Sequence, residues 1–209
     1  MNKYYLLPLI FILGSCFGVE EVSSGVAMRI RYDEGIQSGH GSCFAISDKL
    51  ILTAAHNVLN GDKPYKIVLV EIDGVWHGGK VTKFNKDLDL AIFAIEDTKL
   101  EKPVKLGEDC KPKDTVMLAA SNKNKAVEGY LGIVKQRYFE GSTRTKVKVE
   151  FDHGCSGGPL IDTKTGLLVG IAIAGELKKK TENEMVEGVG LFQPVSVIKA
   201  FIEDEKGDQ

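Results

Sequence analysis

Three short segments of the 209-residue chain carry side chains suited to acid–base and nucleophilic chemistry. They are Thr53-Ala54-Ala55-His56, Asp87-Leu88-Asp89-Leu90-Ala91-Ile92 and Gly154-Cys155-Ser156-Gly157-Gly158-Pro159. A serine hydroxyl is a weak nucleophile and needs a base within hydrogen-bond reach. It also needs N–H donors aimed at the oxygen that gains charge when a carbonyl is attacked. Glycines on both sides of Ser156 let the backbone turn its amides into one pocket where a Cβ would clash. His56 offers the base and Asp89 a carboxylate to orient it. Singly, each segment has a plainer reading: a histidine at a strand end, a turn residue before a buried strand, and a tight glycine turn. The chemistry depends on what folding brings together.

The elements that must position them read as strand after strand. Of the residues, 43% are hydrophobic and 27% charged, and the formal net charge is -2. Such a composition excludes a long disordered chain, a collagen-like repeat and a polytopic membrane protein. Without a basic excess to displace counterions from phosphates, nucleic acid is not an expected partner. The 23 glycines point to many turns. The length suits one domain, or two small lobes sharing a site. Strands are predicted at 26–32, 42–46, 50–53, 65–72, 75–84, 90–95, 115–120, 132–139, 143–151, 159–161, 167–174 and 186–192. Asp73-Gly74 suits a tight hairpin turn. Helix is expected only as a short turn over 54–59 and over 195–204, where Val195, Ile198, Phe201 and Ile202 share a face. The fold class is therefore all-β, an antiparallel barrel or sandwich closing on a C-terminal helix. The charged stretches 99–114 and 177–187 are expected to be solvated connections, the first crossing between two lobes and the second overhanging a cleft. The tail, 205–209, is expected to fray.

The first 18 residues form a basic start, an apolar run from Leu6 to Leu13 and small residues after it, which describes an export signal. Leu13-Gly14-Ser15-Cys16 resembles the bacterial lipobox. That resemblance implies a signal peptide over 1–15, acylation of Cys16, a linker over 16–24 and attachment to a membrane surface, in the periplasm or at the cell surface. An ordinary secretory signal cut after Gly18 is the alternative. Cleavage before Cys16 removes 15 of the 209 residues and leaves Cys43, Cys110 and Cys155. Three thiols allow at most one bridge within a monomer.

Taken together and in order, the three segments resemble those of the trypsin-like, chymotrypsin-fold serine peptidases, closest to bacterial Deg/HtrA-type members. In that family Thr-Ala-Ala-His carries the base, Asp-[Ile/Leu]-Ala-[Leu/Ile] its partner and Gly-x-Ser-Gly-Gly-Pro the nucleophile. The resemblance covers residues 25–204 and implies two six-stranded antiparallel barrels with the site between them. It implies that Ser156 attacks the scissile carbonyl of a protein or peptide, that His56 takes and returns the proton, that a buried Asp89 orients the imidazole, and that the N–H groups of Gly154 and Ser156 form the oxyanion hole. No metal or other cofactor is implied. Gly170-Ile171-Ala172-Ile173-Ala174-Gly175 resembles the strand that pairs with substrate, which assigns Ile173, Ala174 and Gly175 to substrate binding. Gly190 to Val195 resembles the strand backing the specificity pocket. Glu150, six residues before Ser156, falls at the pocket base, where an acid selects basic side chains; its plainer reading is an exposed strand residue.

The sequence departs from pancreatic-type members at Cys155, where they carry the Asp that pairs with a new N-terminus, so that activation switch is not encoded. Cys43 falls in a region that passes near the nucleophile in the family, so a Cys43–Cys155 contact, as thiols or as a bridge, is open. Gly154 to Gly158 also fits the Gly-x-Ser-x-Gly elbow of α/β-hydrolases, but no histidine follows Ser156 and there is no βα alternation. Cys155 as nucleophile sits one place out of register with Gly157-Gly158-Pro159. A zinc site from Cys43, Cys110 and Cys155 lacks a close cysteine pair. A surface-anchored binding protein on a peptidase scaffold is the non-enzyme alternative. The 194 residues after Ser15 are expected to leave no length for the PDZ domain of many HtrA-type enzymes, so substrate choice falls to cleft loops or localisation.

Overall fold

The computed structural model describes residues 27–34, 37–121, 127–136, 144–177 and 188–204. The signal over 1–15, Cys16, the linker 16–24, most of the 177–187 connection and the tail 205–209 lie outside the described residues.

In chain order the strands are β1 (Met28–Glu34), β2 (Gln37–Ala45), β3 (Leu50–Ala54), the short β4 (Leu59–Asn60) and β5 (Lys63–Pro64), β6 (Val68–Ile72), β7 (Val75–Asn85) and β8 (Leu90–Ile95). They continue with β9 (Thr115–Ser121), β10 (Val127–Gln136), β11 (Thr145–Lys148), β12 (Pro159–Asp162), β13 (Leu168–Leu177) and β14 (Gly188–Pro194). Helix α1 (Val195–Glu203) follows directly. Two closed barrels result, ordered β1-β2-β3-β8-β7-β6 and β10-β11-β14-β13-β12-β9, while β4 and β5 pair with each other. Every pairing within the barrels is antiparallel. This is the architecture that the resemblance implied.

The apolar runs follow from burial on both faces. Along β8, Ala91, Phe93 and Ile95 fill the first barrel, while Leu90 and Ile92 point outward into a third core between the barrels. From the second barrel, Met117, Ile161, Leu168, Ile171 and Ile173 enter that same core. Helix α1 seals it with Val195, Ile198 and Phe201, the face that the sequence periodicity identified. Strands covered on both sides lose the alternation of half-buried ones.

Asp73 and Gly74 both have positive φ, 50° and 80°, the type I′ turn that Asp-Gly favours. Two strands start earlier than predicted. Strand β2 begins at Gln37 because Gly39 and Gly41 serve close packing rather than turns. A Cβ on Gly39 would lie 2.4 Å from the Tyr32 ring, and one on Gly41 2.4 Å from the Asn57 amide. Strand β10 likewise begins at Val127. The helix expected over 54–59 is a single 3-10 turn, Ala55–Asn57. The 99–114 connection is not merely solvated: Val104 N–H donates to Ala45 C=O (2.9 Å) on the first barrel, and Gly107 N–H to Leu168 C=O (2.8 Å) on the second. Asp109 from this crossing accepts from Ser196 N–H at 2.9 Å in the first turn of α1.

Candidate active site

Strand β3 ends at Ala54 beside Leu90, the first residue of β8. That register sets the residue before Leu90 against the turn after Ala54. Ala55 N–H donates to the Asp89 carbonyl at 3.0 Å. His56 N–H donates to Asp89 Oδ1 at 3.0 Å, and His56 Nδ1 lies 2.7 Å from Asp89 Oδ2. A carboxylate only accepts, so Nδ1 carries the proton and the neutral imidazole keeps its free lone pair on Nε2. Asp89 adopts φ of 55°, a left-handed conformation that costs about 1–2 kcal/mol outside glycine. Its side chain is 21% exposed and that of His56 48%. Asp89 is thus half-buried rather than buried, because it caps the outer end of β8 instead of lying within it.

The serine segment is two overlapping tight turns. Cys155 N–H donates to Asp152 C=O at 3.1 Å and Gly158 N–H to Cys155 C=O at 3.0 Å. The third residues of these turns, Gly154 and Gly157, have φ of 98° and 86°, while His153 and Ser156 do not enter the positive region. Both are therefore type II turns, which demand glycine at that place. The amides of Gly154 and Ser156 donate to nothing among the described residues, whereas Gly157 N–H, in the central peptide of the second turn, donates to Ala172 C=O at 2.7 Å. Both residues line the cleft that His56 lines. The Ser156 hydroxyl makes no hydrogen bond among the described residues.

A buried polar network holds this segment against the first barrel. Ser42 N–H donates to the Ser156 carbonyl at 2.8 Å, and Asn57 Nδ2 donates to the same oxygen at 2.9 Å. Asn57 Nδ2 also reaches Thr53 Oγ1 (3.1 Å), whose hydroxyl donates to the Ser42 carbonyl (2.8 Å). Ser42 Oγ donates to the Gly154 carbonyl at 2.7 Å and accepts from Ser121 N–H at 2.8 Å. Ser42, Thr53, Asn57 and Ser121 are all buried. Sequence reasoning did not find these four. The usable signal was polar residues inside otherwise apolar runs, since a buried polar group must find a partner.

The cleft has a volume of about 620 Å³. Of the residues assigned to substrate binding, Ala174 and Gly175 line it. Ile173 does not: the bulge between Ala172 and Ala174 turns its side chain into the core between the barrels. Glu150 does not line it either and is exposed to solvent. Its neighbour Phe151 takes that place, with its ring against Gly175 and Gly190. A Cβ on Gly175 would lie 2.1 Å from the Phe151 ring, and one on Gly190 3.0 Å from it. Because side chains alternate along an extended chain, placing Phe151 inward turns Glu150 out.

Cys43, Cys110 and Cys155 are buried thiols, none of them in a disulfide among the described residues. Cys43 belongs to the first barrel's core and Cys155 to the second's, so their side chains point into separate interiors and no bridge joins them. Burial pushes the Cys155 thiol up to about 11 and Cys43 well above its ordinary value. His40 borders the Gly154 turn. Its Nε2 is buried without a hydrogen-bond partner, and burial, followed by the charges of His153 and Arg29, holds it below the ordinary imidazole value. Among the described residues no three of His, Cys, Asp and Glu gather as metal ligands.

No curated protein sequence matches the chain. Solved structures do. A serine endoprotease from Yersinia pestis is 20% identical with a TM-score of 0.71, over 87% of this chain and 62% of that one. The protease Rv3671c from M. tuberculosis, in its active form, is 17% identical with a TM-score of 0.73, over 100% of this chain and 95% of that one. An inactive form of Rv3671c is 18% identical with a TM-score of 0.73, over 92% and 93%. The present chain thus spans less than two thirds of the Yersinia protein and nearly all of the mycobacterial one. The model of the trypsin-like peptidase domain matches residues 41–171, more than half of the chain and the stretch that holds all three chemical segments, so this chain belongs to the trypsin-like peptidase family.

Proposed function

We propose that this chain is a serine endopeptidase that cleaves peptide bonds through an acyl-enzyme formed on Ser156. His56 Nε2 takes the hydroxyl proton as Ser156 Oγ bonds to the scissile carbonyl carbon. The carbonyl electron pair moves to oxygen, and the amides of Gly154 and Ser156 receive that charge. The intermediate collapses as the imidazolium returns its proton to the departing amine. Water, deprotonated by the same imidazole, then releases the acyl group and restores Ser156. Asp89 holds the tautomer and offsets the imidazolium charge. The observation that carries this reading is the His56–Asp89 pair at 2.7 Å beside a serine whose turn leaves two amides undirected. Catalytic hydrogen bonds often tighten only when substrate is bound, which accounts for the unbonded Ser156 hydroxyl.

The cleft favours a small side chain beside the scissile bond. Phe151 fills the space against Gly175, and Glu150, facing solvent, offers no charge there to a lysine or arginine. The lipobox-like Leu13-Gly14-Ser15-Cys16 supports export and lipid anchoring of the mature chain at Cys16. Intact mass of membrane-extracted protein tests the anchor, and an unlipidated chain beginning at Val19 refutes it.

A fluorophosphonate tests the chemistry. It should label the native chain at Ser156 and fail to label Ser156→Ala. His56→Ala should lose labelling by three or more orders of magnitude, about the range seen when one member of such a triad is removed. A folded chain that never labels would instead make this a binding protein on a peptidase scaffold.

A further inference from the structure

A second groove opens off the cleft. Its volume is about 510 Å³, and Tyr32, Ser38, Gly39 and His40 line both spaces. Its far end is made by Arg29, Arg31 and Trp76. The barrel register explains the gathering. Arg29 of β1, Glu71 of β6 and Trp76 of β7 are direct neighbours in one row across three strands. Arg31 lies opposite His40 of β2 in the adjacent row. Ile30, between the two arginines, fills the barrel, so both arginines face outward.

The two arginines are in different situations. Arg29 Nε donates to Glu71, so its charge is answered within the row. Arg31 is exposed and has no ion-pair partner among the described residues. Its guanidinium lies 4.3 Å from the centroid of the Trp76 ring. A guanidinium held over an indole face keeps N–H donors that match a carboxylate fork. No acidic side chain lines this groove among the described residues. Among the described residues this cation thus meets no carboxylate, in a groove of a chain whose net charge is -2.

We propose that this groove is a subsite for an acidic side chain of the polypeptide being cleaved, with Arg31, stacked on Trp76, receiving the carboxylate. The proposal rests on the peptidase reading above and names the substrate class that the cleft prefers. Distance sets the position. His40 borders the Gly154 turn and neighbours Arg31 across one strand spacing of about 5 Å. Arg31 is then roughly 10 Å from the reacting centre, and an extended substrate advances about 3.3 Å per residue. The acidic residue falls two to four positions from the scissile bond.

Trp76 is the chain's single tryptophan, so its emission reports on the groove without catalysis. The full-length Ser156→Ala variant is titrated with end-blocked dodecapeptides identical except for Glu, Gln or Lys placed at each position in turn. Glu peptides should perturb Trp76 emission and bind about fivefold more tightly than Gln peptides, with Lys peptides weakest. The gap should shrink as salt rises. Arg31→Glu, at an exposed site where substitutions usually change stability little, should reverse the order. Equal affinities, or an order that Arg31→Glu leaves unchanged, overturn the subsite. The same peptides are then given to the native chain. Groove binding without cleavage keeps the subsite and sinks the peptidase reading, whereas cleavage with no charge preference keeps the peptidase reading and sinks the subsite.

Discussion

Asn57 Nδ2 donates to the Ser156 carbonyl at 2.9 Å, which ties the backbone of Ser156, the proposed nucleophile, to the residue that follows His56, the proposed base. His56 and Asn57 occupy one 3-10 turn, and their side chains diverge: one grips Asp89, the other the serine turn. A single turn thereby fixes His56 relative to both Asp89 and the Ser156 turn across the junction of two barrels. Asn57→Ala leaves the Ser156 carbonyl with only the Ser42 amide and should cost about 1–3 kcal/mol of stability. It should lower kcat/KM about 10- to 100-fold by loosening the base–nucleophile geometry, with phosphonate labelling slowed in proportion. Unchanged labelling in a destabilised Asn57→Ala would make the contact purely structural.

Gly157 has no room for a side chain. Its φ is 86°, and a Cβ there would lie 2.0 Å from the Ser42 carbonyl oxygen. Gly157→Ala should destabilise the fold by about 3 kcal/mol or more, read from the urea midpoint. A midpoint equal to that of the native chain would contradict the turn geometry.

Ser156 and Cys155 separate cleanly by substitution. Cys155 is fully buried and its thiol is pushed up to about 11, so it is a neutral core group near neutral pH. Ser156→Ala should abolish turnover. Cys155→Ala should retain most of it while losing about 1 kcal/mol to the small cavity. The reverse pattern would reassign the nucleophile.

Phe151 limits the cleft next to Gly175. Its ring also meets Phe192 edge-to-face, with centroids 6.4 Å apart. Phe151→Val should cost about 1–3 kcal/mol and shift cleavage toward larger side chains at the scissile position. A peptide-library profile identical to that of the native chain would show that Phe151 does not set the pocket's depth.

His40 makes stability pH-dependent in a defined direction. Its folded value lies below 6.5, because burial, followed by electrostatic repulsion from His153 and Arg29, disfavours the charged ring. Between that value and 6.5 the unfolded chain binds the proton more readily, so stability rises with pH. The contribution is complete above 6.5 and is lost as pH falls through the folded value. His40→Gln should flatten this part of the profile in urea unfolding followed across pH. An unaltered slope would place the dependence elsewhere.

Much of this was readable in the chain. The order of His56, Asp89 and Ser156, the Asp73-Gly74 turn and the buried face of α1 all depend on local residue type and spacing. Such signals survive whatever surrounds them. Glu150 was set at the pocket base by its place six residues before Ser156 in the family pattern, whereas its place in the alternating run 146–151 gave the plainer, solvent-exposed reading that the structure bears out. Strand β2 was read short because Gly39 and Gly41 signal turns in isolation, whereas here the Tyr32 ring and the Asn57 amide occupy the space their side chains would need. The expected burial of Asp89 failed for a similar reason, since only the packing around the end of β8 sets its exposure.

The linear order of residues determined the chemistry available: one imidazole, one carboxylate and one hydroxyl flanked by glycines, in the pattern of a known peptidase family. Only the tertiary structure decided how these groups are held and what surrounds them. Barrel register placed Asp89 against His56, buried Ser42 and Asn57 beneath the serine turn, put Cys43 and Cys155 in separate cores and left Arg31 stacked on Trp76 beside the cleft. The physical reason is range. Turn and helix preferences act over a few neighbouring residues, while these contacts join positions such as 42 and 154 or 57 and 156, whose proximity comes from barrel closure and from nothing nearby in the chain.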